Sequence, residues 1–153
     1  MNELNIGDIV QDFTLENQNG EKVSLSDYKG KKVLVSFHPL AFTSVCTDQM
    51  RALERNYDKF KEANIEVLGI SIDSVPAKKA WATMINIEKM NILSDFNPFA
   101  EVAKQFDNLV EKLNASGRAN FLIDEEGKLE WKKIYKLSEL PDIHELLEFT
   151  KGK

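Results

Sequence analysis

Cysteine is almost absent from this chain: Cys46 is the only one in 153 residues. A single thiol excludes an internal disulfide, and glutamine at position 49 excludes the C-x-x-C pair of dithiol reductases. A basic stripe is also missing. The 20 Lys and Arg are interspersed among 25 Asp and Glu for a net charge of −5, so the footprint of a phosphate-backbone binder is lacking and nucleic acid is not an expected partner. The acidic excess reads as a solvated surface. The opening MNELNIGDIVQDF has neither a basic start nor an unbroken apolar core, and no stretch approaches a membrane span. A cytoplasmic location with no membrane partner is the expectation. Repeats, low-complexity tracts and linkers are absent too. With 42% hydrophobic and 29% charged residues, the composition suits one globular domain over residues 1–153.

What is present is a pattern of alternating elements. FTLEN and EKVSL flank Asn19-Gly20, a pair that readily takes the positive φ of tight turns, and predict an N-terminal β-hairpin. KKVLVSF (31–37) and IEVLGISI (65–72) are β-rich apolar runs of the kind buried on both faces. Between them Met50, Leu53, Tyr57 and Phe60 recur at helical spacing, with Arg51, Glu54, Arg55, Asp58 and Lys59 on the other face. Strand, helix, strand makes a βαβ unit with parallel strands and a right-handed crossover. PAKKAWATMINI and NPFAEVAKQF read as helices opened by Pro76 and Pro98, with ILSD a short strand between them. ANFLIDEEGKLEWKKIY reads as two strands joined across Glu125 to Gly127, and PDIHELLEF as a closing helix with Leu146, Leu147 and Phe149 mostly inward. A βαβ half, a β-hairpin and a terminal helix make an α/β, thioredoxin-like fold, here with an N-terminal β-hairpin extension.

Cys46 lies in PLAFTSVC (39–46), at the carboxyl edge of the first central strand, where such sheets bind ligands. If Thr43 or Ser44 caps the following helix by accepting a backbone N–H, the thiol falls in the first turn, where free amides and the macrodipole favour a thiolate. The thiolate is the nucleophile, and an ordinary cysteine, with a pKa of about 8.5, is only a few per cent ionised at neutral pH. Pro39 fixes the loop leaving the strand, and Phe42 and Val45 can wall a pocket. Arg118, opening RANFLID, is the cation best suited to steady the thiolate and a leaving oxygen.

These residues carry a resemblance. Pro39, Thr43 and Cys46 reproduce the P-x-x-x-T-x-x-C signature, and the chain is similar to the peroxiredoxins. GDIVQDFTLEN, LSDYKGKKVLVSFHP, SIDSVPAKKAW and RANFLIDEEG extend the likeness in family order over roughly residues 4–135. The resemblance implies a peroxidatic nucleophile at Cys46, a hydroxyl partner at Thr43, an activating guanidinium at Arg118 and a shield at Pro39. It implies attack on a peroxide oxygen to give sulfenic acid, with no metal, flavin or haem. It places Trp81 near the site. Two positions depart from the commonest pattern: Gln49, where a glutamate usually helps hold the arginine, and His38, where an aromatic residue usually precedes the proline. With no second cysteine, the chain resembles the one-cysteine class. That class takes hydrogen peroxide or an organic hydroperoxide and is recycled by an external thiol such as thioredoxin, glutaredoxin or a small thiol. A homodimer is the expected assembly. The rival reading is a non-catalytic redox sensor that passes Cys46 oxidation to a partner protein.

Overall fold

The computed structural model describes residues 3–151. Its elements are β1 (Thr14–Glu16), β2 (Lys22–Ser24), β3 (Lys32–Phe37), α1 (Ser44–Arg55), α2 (Tyr57–Glu62), β4 (Ile65–Ser71), α3 (Val75–Met84), β5 (Asn91–Ser94), α4 (Glu101–Gln105), β6 (Leu109–Val110), β7 (Ala115–Ser116), β8 (Arg118–Ile123), β9 (Leu129–Tyr135) and α5 (Ile143–Lys151). Seven strands form one sheet in the order β2-β1-β5-β4-β3-β8-β9. β3, β4 and β5 are parallel, β8 runs antiparallel to β3, and β9 antiparallel to β8. This is the thioredoxin-like sheet expected from the sequence. The N-terminal hairpin lengthens it at the β5 edge, where Glu16 pairs with Ser94.

Alternation along the buried strands sorts their side chains to two faces. Leu34, Val67, Ile92 and Leu122 pack with Met50, Leu53, Tyr57, Phe60, Trp81 and Leu146 from α1, α2, α3 and α5. Val33, Val35, Phe37, Leu68, Ile70 and Phe121 turn the other way, onto Phe13, Val102 and Phe106. There Phe37, Phe106 and Phe121 meet edge to face at 5.3, 5.8 and 4.9 Å between centroids, fixing the end of β3. The same alternation aims Ser36 and Arg118 at the α1 side. Gly69 in β4 lets α1 approach closely: a Cβ there would lie 2.7 Å from the Met50 sulfur.

Three local expectations change. The single amphipathic helix is two, α1 and α2, broken at Asn56, whose side-chain amide donates to the Ala52 carbonyl at 2.8 Å and competes with helix continuation. Pro98 does not open a helix. It follows a cis peptide from Asn97, Ala100 is left-handed, and α4 begins at Glu101. The cap comes instead from Asp95, whose carboxylate accepts the Val102 and Ala103 amides at 3.0 and 2.9 Å. In the Asn19-Gly20 turn only Gly20 has positive φ, and its amide donates to the Asn17 carbonyl. The short antiparallel pair β6–β7 has no counterpart in the sequence reading, the other elements fall close to where expected, His144 is exposed, and Trp131 packs on Phe149 at 5.7 Å.

Candidate active site

Cys46 is the third residue of α1 and has no exposed surface. The loop that delivers it leaves β3 through His38 and Pro39, both buried. It is pinned at His38, whose amide donates to the Ile70 carbonyl at 3.0 Å and whose carbonyl accepts the Ser116 hydroxyl at 3.1 Å. The Ala41 amide donates to Asp73 Oδ2 at 2.8 Å. Phe42 takes a left-handed φ of 68° and is exposed. Phe42, Thr43 and Ser44 are thus the exposed part of this loop, while Val45 is half-buried.

The expected side-chain cap is not made. Thr43 holds the cap position with extended backbone, yet its hydroxyl donates to the Leu40 carbonyl at 2.8 Å instead of accepting an amide. Ser44 is the first helical residue and is exposed. The reason is the tight Leu40–Thr43 turn, which brings a carbonyl within reach of the hydroxyl. As a consequence the first-turn amides are left uncapped by side chains, and the positive end of the helix is kept for an anion near Cys46. The lone pairs of the Thr43 oxygen are free to accept.

Arg118, the first residue of β8, is 3% exposed and reaches the sulfur: Nη1 donates to Sγ at 3.4 Å and to Gln49 Oε1 at 2.6 Å. The other side of the guanidinium is fixed by the Leu137 carbonyl, which accepts from Nε at 3.1 Å and Nη2 at 2.8 Å. Gln49 is locked in turn, its amide donating to Ser36 Oγ at 2.8 Å and to the Phe37 carbonyl at 3.1 Å. A neutral amide at 49 thus orients the guanidinium without cancelling its charge.

His38 and Trp81 pack against each other. Their rings are 5.2 Å apart, and Trp81 Nε1 donates to Thr47 Oγ1 at 3.3 Å. His38 Nε2 is 2.8 Å from the ammonium of Lys78, which is wholly buried. Burial, then the charges of Lys78 and Arg118, hold the imidazole well below its ordinary 6.5, so it is neutral. Lys78, Asp73 and the Leu137 carbonyl were not among the residues that sequence reasoning selects. Lys78 carried a signal: on α3 it shares a face with the buried Trp81, Ala82 and Ile85, where an apolar residue is expected.

Pro39, Thr43, Cys46, Gln49, Arg118, His38 and Trp81 are thus gathered at the carboxyl end of β3. A buried thiol at a helix start, held by a guanidinium in a thioredoxin-like sheet, defines a thiol-dependent redox protein. The chain belongs to the AhpC/TSA family, which it matches over residues 6–132. It is 40% identical over 136 residues to Peroxiredoxin Bcp of Escherichia coli, covering 85% of each chain. It is 33% identical over 140 residues to alkyl hydroperoxide reductase E of Mycobacterium bovis, covering 91% of each. Among solved structures, AhpC of Enterococcus faecalis superposes with a TM-score of 0.89 at 27% identity, covering 99% of this chain and 92% of that one. The reduced 2-Cys peroxiredoxin of Plasmodium vivax gives 0.88 at 30% identity, covering 95% and 80%. The expected fold and family are borne out, and the single cysteine of this chain fits the one-cysteine type.

Proposed function

We propose that this chain is a one-cysteine peroxidase that reduces hydrogen peroxide and organic hydroperoxides at Cys46 and is recycled by an external thiol. The observation that carries the reading is the Arg118 guanidinium, donating to Sγ while clamped between Gln49 and Leu137. A clamped donor needs no reorganisation when charge moves from sulfur to oxygen. The thiolate takes the hydroxyl oxygen of the peroxide, and the O–O bond breaks with its electron pair leaving on the second oxygen. That oxygen gains a proton and departs as water or an alcohol. Arg118 and the uncapped first-turn amides stabilise sulfur before attack and oxygen after it, the Thr43 hydroxyl accepts a hydrogen bond from the peroxide O–H, and Pro39 shields the thiol from bulk water. A thiol then condenses with the sulfenic acid, releasing water and leaving a mixed disulfide that a second thiol reduces. Thioredoxin, glutaredoxin and small thiols are the candidate reductants.

A cytoplasmic setting belongs to the same reading; among the described residues no helix is long and apolar enough to cross a membrane. The exposed Leu40, Phe42, Phe96 and Phe99 support a homodimer that covers apolar surface near the site. The deciding experiment is turnover with added thiol, wild type against Cys46→Ser. Serine keeps the shape but is hardly ionised at neutral pH, so the variant is expected to fold and to be inactive. Retained turnover would sink the reading. Oxidation with one equivalent of peroxide should add one oxygen, about 16 Da, trapped by dimedone. A reaction that stops after one equivalent despite excess thiol would favour the sensor.

A further inference from the structure

Lys78 occupies a core position of α3 and has no exposed surface. An ammonium withdrawn from water requires compensation. Its side-chain hydrogen-bond partner is Nε2 of His38, at 2.8 Å, and its charge lies 5.6 Å from the centroid of Trp81. An ammonium can only donate, so with Lys78 charged and His38 neutral, Nε2 accepts. The proton then sits on Nδ1, a buried atom on the side of the Ser36 backbone. On the other edge the ring is held by the ammonium of Lys78.

The charged and titratable groups that face this pair come from every element around it: His38 from the end of β3, Cys46 from α1, Asp73 from the turn after β4 and Arg118 from β8. Burial pushes the ammonium down to about 7, against the pull of Asp73 and of Cys46. Asp73 Oδ2 is already engaged by the Ala41 amide and by the Ser71 hydroxyl at 2.5 Å. With Cys46 a thiolate, two anions, Cys46 and Asp73, balance two cations, Arg118 and Lys78. Gln49 adds nothing to that balance.

We propose that Lys78 is a positioning residue for peroxide reduction, keeping a proton beside the Cys46 thiolate and giving it up when the thiolate becomes neutral sulfenic acid. The inference rests on the peroxidase reading of Cys46. Attack forms the S–O bond and breaks the O–O bond; sulfur is oxidised, peroxide is reduced, and the leaving oxygen consumes one proton. Oxidation also removes one of the two anions and leaves a buried cation in excess. Arginine does not release a proton in this range, whereas a buried lysine does. The proton released by Lys78 therefore offsets the one that the leaving oxygen takes up, and the buried charge stays close to neutral on both sides of the reaction. Reduction back to the thiolate restores the proton to Lys78.

Two measurements test this. In wild type, one equivalent of hydrogen peroxide is added in weak buffer with a pH indicator, at a pH no higher than about 7, where Lys78 still holds its proton and the thiolate absorbance is already developed. Clearly less than one proton should be drawn from solvent per sulfenic acid formed; uptake of one full proton overturns the proposal. In Lys78→Met, the thiolate band should appear at higher pH, and the peroxide rate constant at pH 7 should fall about tenfold, one pH unit of thiolate stabilisation. The wild-type rate is expected to decline as pH rises through the loss of the Lys78 proton, and in Lys78→Met that decline should be absent. His38→Phe keeps the ring against Trp81 but removes the acceptor, and should weaken the same decline. A folded Lys78→Met with the wild-type thiolate titration and pH–rate profile overturns the proposal. Should that variant not fold, the proton count on wild type decides alone. The thiolate titration uses no peroxide, so failure here is distinct from retained turnover in Cys46→Ser, which would defeat the peroxidase reading itself.

Discussion

Replacing Arg118 with lysine keeps a positive charge and removes the fork, and so separates two roles that an alanine would remove together. The guanidinium makes four hydrogen bonds: Nη1 to Sγ and to Gln49 Oε1, and Nε and Nη2 to the Leu137 carbonyl. A single ammonium cannot span from Leu137 to the sulfur while also serving Gln49. Losing two hydrogen bonds to a charged group, at about 1.5–3 kcal/mol each, corresponds to a destabilisation of about 3–6 kcal/mol. The thiolate retains a nearby cation, so alkylation by iodoacetamide at neutral pH should stay within about threefold of wild type, a third to a half of a pH unit. Peroxide cleavage additionally needs a donor aimed at the leaving oxygen. Loss of one such donor amounts to about 10²–10³ in rate, or about 2.7–4 kcal/mol. Stopped-flow tryptophan fluorescence, with Trp81 beside the site, gives the peroxide rate, and mass spectrometry gives the alkylation rate. If both reactions slow by the same factor, Arg118 acts only on thiolate population. If neither slows, the clamped geometry is irrelevant to catalysis.

Further outcomes follow from other contacts. Thr43→Val, which removes a hydroxyl bonded to Leu40, should slow peroxide by about tenfold or more while leaving alkylation nearly unchanged; equal slowing of both would deny the hydroxyl a role toward peroxide. Gln49→Glu gives Arg118 a charged acceptor but loses the donor to the Phe37 carbonyl. It should keep activity within about tenfold while denaturant unfolding shows a loss of about 1–3 kcal/mol, and abolished activity would mean that the guanidinium is no longer aimed at sulfur. Burial raises the Asp95 carboxyl from 3.8 to about 6. Its folded value therefore exceeds its unfolded one, and stability is highest below 3.8 and is lost as pH rises through about 6. Relative to Asp95→Asn, wild-type stability should drop by about 2 kcal/mol between pH 4 and pH 7; parallel stability curves would refute the buried-carboxyl assignment.

The strands were legible because their signal is local. KKVLVSF and IEVLGISI are apolar on both faces, and the resulting β3 and β4 are buried on both. The helix errors have the opposite origin, since they depend on side chains that act at a distance or against propensity. Nothing in NPFAEVAKQF announces that the cap of α4 comes from Asp95, ahead of it in the chain. Equally, helical spacing runs from Met50 through Phe60 without interruption, because the apolar face of α2 continues that of α1. Only the Asn56 amide, bonding back to Ala52, marks the break, and asparagine inside a helix is too common to be read as one.

The site shows the same division between residue types and their wiring. Pro39, Thr43 and Cys46 are adjacent in sequence and could be assigned from spacing. Arg118 lies 72 positions from Cys46 and required the RANFLID likeness. Strand alternation supplies the physical reason it arrives: Arg118, Asn120 and Leu122 share the face of β8 turned to α1, opposite Ser36 and Leu34 of β3. Its anchor at Leu137 is a carbonyl, which any residue would provide, so sequence carries no trace of it. Lys78 is the more instructive omission. Read as a charge within PAKKAWATMINI it suggests a solvated face, but the helical register set by Trp81, Ala82 and Ile85 turns it inward. Position in the period therefore outweighs residue type: a lysine on a core face signals a buried charge whose partner must be sought, here the histidine that stands in place of an aromatic residue before Pro39. The two departures from the usual pattern, Gln49 and His38, then have one explanation. With no carboxylate at 49 to offset Arg118, the second buried cation has only Asp73 and the Cys46 thiolate as counter-charges, and a neutral imidazole is the acceptor that keeps it in place beside them.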